Sequence, residues 1–349
     1  MDLALDLGTA YFRVGELGSD TIHAEPATVA YDKNGQTTAG EMAERLVGRA
    51  PQGVSVLHPI SAGIVKDFDA AVVLIRHAIA SLQGKRMATR PNITVSTPTG
   101  ITAVEQRAIE EAVREAGAKQ VHLFESVIAA AVGARLPVES PRGHLILNLG
   151  AGVTEAAVVC LGGIVDSRKS SFGGRNLDEA IAESVRKEHG FLIGIKSAEQ
   201  LKWNVGEYPD KPTFEVRGRG LSTGLPETLS VSRELVETQV ESYSETIVGL
   251  LVSALESSPP ELVGDFMDSG IVVMGGGTPL HALLDRLQER TEMPILTADE
   301  AQTCVIRGLL SSNVGRRRSA TGEKASTQLR KGKAYQRVVS RVQGMLPRG

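Results

Sequence analysis

Apolar residues along this chain fall into two patterns. Short runs rich in β-branched residues at 2–7, 11–14, 93–96, 121–124, 145–149, 153–160 and 271–274 have the length of buried strands. Between them apolar positions recur every three or four residues, predicting helices over 69–81, 102–116, 177–189, 233–257 and 281–289. Thr102 and Glu105 stand at capping-box spacing, with Val104, Ile109 and Val113 assigned to the apolar face behind them. The run SVIAAAVG at 126–133 reads as a helix of small residues that lets its neighbours approach closely. Ser197 with Gln200 reads as the cap of a further helix, carrying Glu199 and Lys202, and a short helix is expected near 41–47. Two turn-rich stretches, about 31–68 and about 190–235, interrupt this order as small inserted subdomains.

One unit occurs twice. Residues 144–160, HLILNLGAGVTEAAVVC, read as strand, glycine turn and strand, and the chain opens the same way with MDLALDLGTAYFRV. Aligning Leu5-Asp6-Leu7-Gly8 with Leu147-Asn148-Leu149-Gly150 sets Asp6 opposite Asn148. A third glycine turn, Gly275-Gly276-Gly277, follows a β-branched run and precedes a helix. One such turn is an ordinary hairpin. The matched pair plus the triplet predicts a duplicated α/β chain, with halves at 1–140 and 141–312 and a cleft where the turns meet.

The 349 residues suffice for two halves with sizeable cores, and 42% hydrophobic against 23% charged content is that of a soluble globular protein. No apolar run approaches the roughly 18 residues of a membrane span, and the opening residues lack the pattern of a signal peptide. Cys160 and Cys304, far apart in apolar patterns, read as buried thiols of a cytoplasmic protein. Seven scattered histidines give no metal-ligand spacing. The net charge of −3 divides unevenly: residues 313–349 hold ten Lys/Arg and one acid, leaving the rest strongly acidic. No nucleic-acid partner is expected.

A strand ending in a carboxylate before a small-residue turn, once per half, suits a clamp on a nucleoside triphosphate. Backbone N–H groups would hold phosphate oxygens, and carboxylates would orient water on magnesium. No Walker A, G-x-G-x-x-G or G-x-S-x-G pattern occurs, which removes P-loop, Rossmann and nucleophile-elbow chemistry.

These features resemble the actin/Hsp70/sugar-kinase superfamily, and specifically the bacterial actin homologues of the MreB/Mbl family. The resemblance rests on LDLGTA (5–10), GIVKDF (63–68), TPTGIT (97–102), AAAVGARLPV (129–138), GGRNLDEAI (173–181), SPPEL (258–262) and MGGGTPL (274–280). It implies an actin-like ATPase fold of two RNase H-like halves, ATP (or GTP) with Mg2+ between them, and head-to-tail filaments that organise peptidoglycan synthesis and cell shape with membrane proteins of the cell envelope. By position it implies that Gly8, Thr9 and Ala10 hold phosphates in one turn, and Gly150, Ala151, Gly152, Val153 and Thr154 in the other. Asp6 would bind the metal through water. Glu199, Lys202 and Gly275, Gly276 and Gly277 would contact the nucleoside.

Two catalytic positions depart from the family. Asn148 replaces an aspartate, and the family's Glu-Glu-Pro reads Glu125-Ser126-Val127, setting Ser126 where the water-orienting glutamate belongs. A hydroxyl is a poor base at neutral pH. The expectation is retained nucleotide binding with weak or absent hydrolysis; the competing expectation is that Asp6 suffices. A nucleotide-locked scaffold and a small-molecule kinase of the same superfamily remain as alternatives. An Hsp70-like chaperone would need a further domain. The basic tail 313–349 carries apolar residues at helical spacing over 334–346, a basic amphipathic helix suited to an anionic membrane at the inner face or to an acidic partner. The family's apolar loop corresponds to 84–89, where only Met87 is apolar in character beyond alanine.

Overall fold

A computed structural model describes residues 2–83 and 90–311. The loop 84–89 and the tail helix expected at 334–346 lie outside the described residues. Two five-stranded sheets share one topology. In the first, Asp2–Leu7, Tyr11–Glu16 and Ile22–Pro26 form an antiparallel meander, and Asn92–Thr97 then Gln120–Glu125 extend it in parallel from the other side of Asp2–Leu7. In the second, His144–Leu149, Thr154–Cys160 and Gly163–Ser170 form the meander, and Ile271–Met274 then Ile295–Thr297 extend it in parallel. The parallel pairs need long crossovers, which the helices supply. The duplicated α/β design expected from the repeated strand–turn–strand unit is therefore present.

Each half also carries a three-stranded sheet, at a different point of its frame. Val29–Tyr31, Thr37–Ala39 and Ser55–Leu57 come before the helix Phe68–Gln83. Phe191–Leu192, Thr213–Gly220 and Pro226–Ser232 come between the helices Gly174–His189 and Arg233–Glu256. Separate apolar cores fill the two halves, around Phe12, Leu74 and Ile93 in one and Leu147, Phe214 and Ile247 in the other.

Between the sheets lie two short helices, Ser126–Gly133 and Cys304–Leu310. Ala129 packs with Ala4, Ile306 and Leu309, while Ala130 and Ala131 pack with Ile146 and Met274. The small-residue run expected to permit close approach does so. A Cβ on Gly133 would stand 1.8 Å from Cys304 O, and one on Gly308 would stand 1.7 Å from Ala129 O. Both cysteines are buried and free.

Three local expectations need correction. Val104 is 79% exposed, while Ile109 and Val113 are buried. The Thr102–Glu105 capping box itself forms. Ser197 does not cap a helix: that helix is Ile195–Glu207, Gly194 is its cap, and Gln200 bonds Asn204 instead. The helix near 41 is a single turn, Glu41–Glu44. No helix among the described residues is long and apolar enough to cross a membrane.

Candidate functional site

The repeated turns have matching geometry. Gly8 N donates to Tyr11 O at 3.1 Å, and Gly150 N donates to Val153 O at 2.9 Å. A Cβ on Gly8 would meet Tyr11 O, and one on Gly150 would meet Val153 O, each at 2.6 Å, so both hairpins require glycine for the same reason. The turns also touch across the halves, since a Cβ on Gly152 would lie 2.4 Å from Thr9 Oγ1. The third glycine turn closes on the second hairpin, with Gly277 N donating to Leu149 O at 3.0 Å.

Around this junction runs a cleft with two compartments. The inner one, about 150 Å3, is lined by Asp6, Gly8, Thr9, Ala10, Ser126, Asn148, Gly150, Ala151, Gly152, Val153, Glu155 and Gly275. The outer one, about 610 Å3, is lined by Ala10, Gly150, Ala151, Asp178, Glu199, Lys202, Gly276 and Gly277, with Trp203 and Tyr243 among its ring-bearing residues. The structure thus gathers along one cleft every residue singled out in the sequence except Thr154. That side chain is buried and lines neither compartment; its hydroxyl is engaged with Phe172 O and Tyr243 OH.

Asp6 sits opposite Arg13 in the first hairpin, accepting from Ser96 Oγ at 2.8 Å and from Arg13 Nη1 at 3.5 Å. Burial pushes its carboxyl above the usual range, and Arg13 and Ser96 only partly offset this. Asn148 is buried at the equivalent point of the second hairpin, facing Glu155 on the neighbouring strand.

In the outer compartment Lys202 and Asp178 form a buried ion pair, Nζ to Oδ1 at 2.6 Å. Lys202 also donates to Gly174 O and lies over the Trp203 ring. Burial pushes the Asp178 carboxyl up to about 6 despite that pairing.

Sequence reasoning missed several residues here. Glu155, whose strand Thr154–Cys160 is buried at every position, accepts from Thr99 N at 2.8 Å, Thr99 Oγ1 at 3.1 Å and Ser126 Oγ at 2.6 Å. The signal was an acid inside an otherwise uncharged strand. A clasp also spans the cleft mouth. Lys196 Nζ lies 2.9 Å from Glu44 Oε1 and donates to Glu44 O, and Arg175 Nη2 lies 3.3 Å from the His58 ring. Thr28 Oγ1 donates to Glu44 Oε2 at 2.6 Å and lies beside His58. Burial raises the Glu44 carboxyl, but the hydrogen bonds from Thr28 and Lys196 outweigh it and leave a net lowering. Burial and the Arg175 charge lower His58. Only contacts between distant segments reveal this clasp.

Among the described residues no group of three His, Cys, Asp or Glu side chains could hold a metal ion.

The family model for MreB/Mbl protein matches residues 1–319. The cell shape-determining protein Mbl of Bacillus subtilis (strain 168) is 36% identical over 312 residues, covering 88% of this chain and 94% of its own. The cell shape-determining protein MreB of Escherichia coli (strain K12) is 37% identical over 318 residues, covering 88% and 91%. Among solved structures, MreB5 of Spiroplasma citri bound to ADP superposes with a TM-score of 0.84 at 29% identity, covering 92% of this chain and 98% of that one. The same protein bound to AMPPNP gives 0.84 at 29% identity over 91% and 98%. The MamK double helical filament shares the fold at a TM-score of 0.75 and 17% identity, covering 90% and 99%.

Proposed function

The chain belongs to the MreB/Mbl family, and from that premise we propose a bacterial actin: a nucleotide-binding cytoskeletal protein that assembles into filaments and helps set cell shape. The observation that carries this reading is the pair of matching glycine turns, one per half, abutting through Thr9 and Gly152 at the floor of a shared cleft. Backbone N–H groups on two such turns bordering one cleft suit phosphate oxygens. ADP and AMPPNP bound to MreB5 support a nucleotide as the ligand.

In this reading Gly8, Thr9, Ala10 and Gly150–Val153 grip the phosphates. Glu199, Lys202 and Gly275–Gly277 face the nucleoside. Asp6 would hold a water of an Mg2+ ion bound with the phosphates, and that ion would supply charge neutralisation there. Hydrolysis is slow, because a serine stands at position 126 and an amide at 148. Filament growth lies beneath the membrane, with cell-wall synthesis proteins as partners and the basic tail 313–349 as the membrane contact. ATP, rather than GTP, is the expected ligand.

Pelleting and electron microscopy of the full chain with ATP, GTP, ADP and no nucleotide test assembly; a monomer in every state refutes it. Fluorescent ADP titration tests the cleft independently of assembly. Flotation on anionic liposomes of the full chain against 1–312 tests the tail, and equal flotation refutes that part.

A further inference from the structure

Glu155 is an acid, 1% exposed, that makes no ion pair among the described residues. A buried carboxylate of this kind must be held by hydrogen bonds. All three of its donors come from the opposite half: Thr99 N and Thr99 Oγ1 converge on Oε1, and Ser126 Oγ gives its proton to Oε2. Ser126 and Glu155 both line the inner compartment, beside Asp6 and the two glycine turns. A serine hydroxyl has one proton and two lone pairs. With the proton directed at Glu155, the lone pairs of Ser126 Oγ are left to accept from a water in that compartment.

We propose that Ser126 and Glu155 act together as a proton relay for a slow attack of water on the terminal phosphate of a bound nucleoside triphosphate. The proposal rests on the nucleotide reading above. The water oxygen forms a bond to the terminal phosphorus. The bond from that phosphorus to the bridging oxygen breaks, and its electron pair leaves with the nucleoside diphosphate. One water proton passes to Ser126 Oγ as the Ser126 proton passes to Glu155 Oε2. Glu155 then returns a proton through Ser126 to the departing inorganic phosphate. Ser126 is the catalytic residue, and Glu155 is a positioning and proton-accepting residue that works through it. Thr99 keeps the Glu155 carboxylate from turning away. Position 126 is therefore an indirect link to a carboxylate rather than an empty catalytic position.

The experiment uses the full chain with Mg2+ and radiolabelled ATP in single turnover, with ADP affinity measured separately. Ser126→Ala and Glu155→Gln are each expected to slow phosphate release by about 100-fold, within the range of general acid–base effects, with ADP affinity within about twofold. Ser126→Thr keeps a hydroxyl and should retain most of the rate. Glu155→Gln is nearly isosteric: its amide oxygen still accepts from Thr99, while its NH2 donates to Ser126 and reverses the relay. In mixtures of H2O and D2O the parent should give a curved proton inventory, and the residual rate of Glu155→Gln a straight one. If Glu155→Gln does not fold, Ser126→Ala against Ser126→Thr decides. A parent that binds ADP yet releases no phosphate overturns the relay, as does a Glu155→Gln or Ser126→Ala rate within twofold of the parent. Failure of the parent to bind ADP overturns the nucleotide reading itself.

Discussion

Replacing Lys202 by Met removes the cation that faces Asp178 while keeping an unbranched apolar stem of similar length. Breaking a buried ion pair by deleting one partner commonly costs about 3–5 kcal/mol, because a charge is stranded. Here a proton can replace the lost cation. The Asp178 carboxyl stands at about 6 in the folded chain against an ordinary value of 3.8. At about 1.36 kcal/mol per unit, ionised Asp178 already costs the native state about 3 kcal/mol at pH 7 relative to neutral Asp178. Without Lys202 the cost rises only until the carboxyl protonates, a ceiling of about 4 kcal/mol at pH 7. The charge-dependent loss at pH 7 is thus at most about 1 kcal/mol. At pH 5 Asp178 is largely neutral in parent and variant alike, and the loss from this source nearly vanishes.

The direction follows from the raised folded-state value. A carboxyl of this kind favours folding fully below about 3.8, and the advantage is lost as pH rises through about 6. Loss of the Gly174 hydrogen bond and of the Trp203 contact weakens the variant equally at both pH values. Denaturant unfolding of Lys202→Met and parent at pH 5 and pH 7 separates the two parts. The destabilisation should be larger at pH 7, by up to about 1 kcal/mol. In an Asp178→Asn background that difference should vanish. Equal destabilisation at both pH values in the original background, or a larger one at pH 5, would refute the account of a desolvated carboxyl held partly ionised by its neighbour.

The cleft-mouth clasp makes a contrasting case. Glu44 and Lys196 are 26% and 52% exposed, so Lys196→Met should change stability by less than about 1 kcal/mol. It should nonetheless speed release of fluorescent ADP, by up to about fivefold, because Lys196 joins the two halves over the cavity; an unchanged off-rate sinks this role. Gly308→Val should cost at least about 3 kcal/mol or prevent accumulation of folded chain, since its Cβ would overlap the Ala129 carbonyl between the sheets. Gly264→Ala, in a helix where nothing lies within 4 Å of an added Cβ, should instead be neutral or stabilising by about 0.5–1 kcal/mol when both variants are compared by denaturant unfolding. Equal effects of the two substitutions would remove close approach as the reason for glycine at position 308.

What could be read from the residues divides along a physical line. The repeated Leu-x-Leu-Gly unit was legible because strand burial and glycine turns are local, and burial of both faces leaves continuous apolar runs. Val104 misled because helical periodicity locates a face but not which of its turns is covered. Ser197 misled because a serine and a glutamine three residues apart also occur inside a first turn, and Gly194 had already begun the helix. Thr154 sat one residue beyond the turn, and in a strand one residue is the difference between facing the cleft and facing Phe172 and Tyr243.

Glu155 marks the limit of local reading most clearly. Its neighbours in sequence say only that a charge lies within a buried strand. The groups that make such a charge tolerable are 56 and 29 residues away, at Thr99 and Ser126. Those donors belong to one half and the acceptor to the other, so no pattern within either half requires them to meet. The same crossing bears on position 126. Taken alone, serine in place of a glutamate is a loss of basic character; joined to Glu155 it becomes one end of a hydrogen-bonded pair whose other end is still a carboxylate. Whether a substituted catalytic position is vacant or rewired therefore depends on contacts made by the opposite half of the fold, and here those contacts supply an acid.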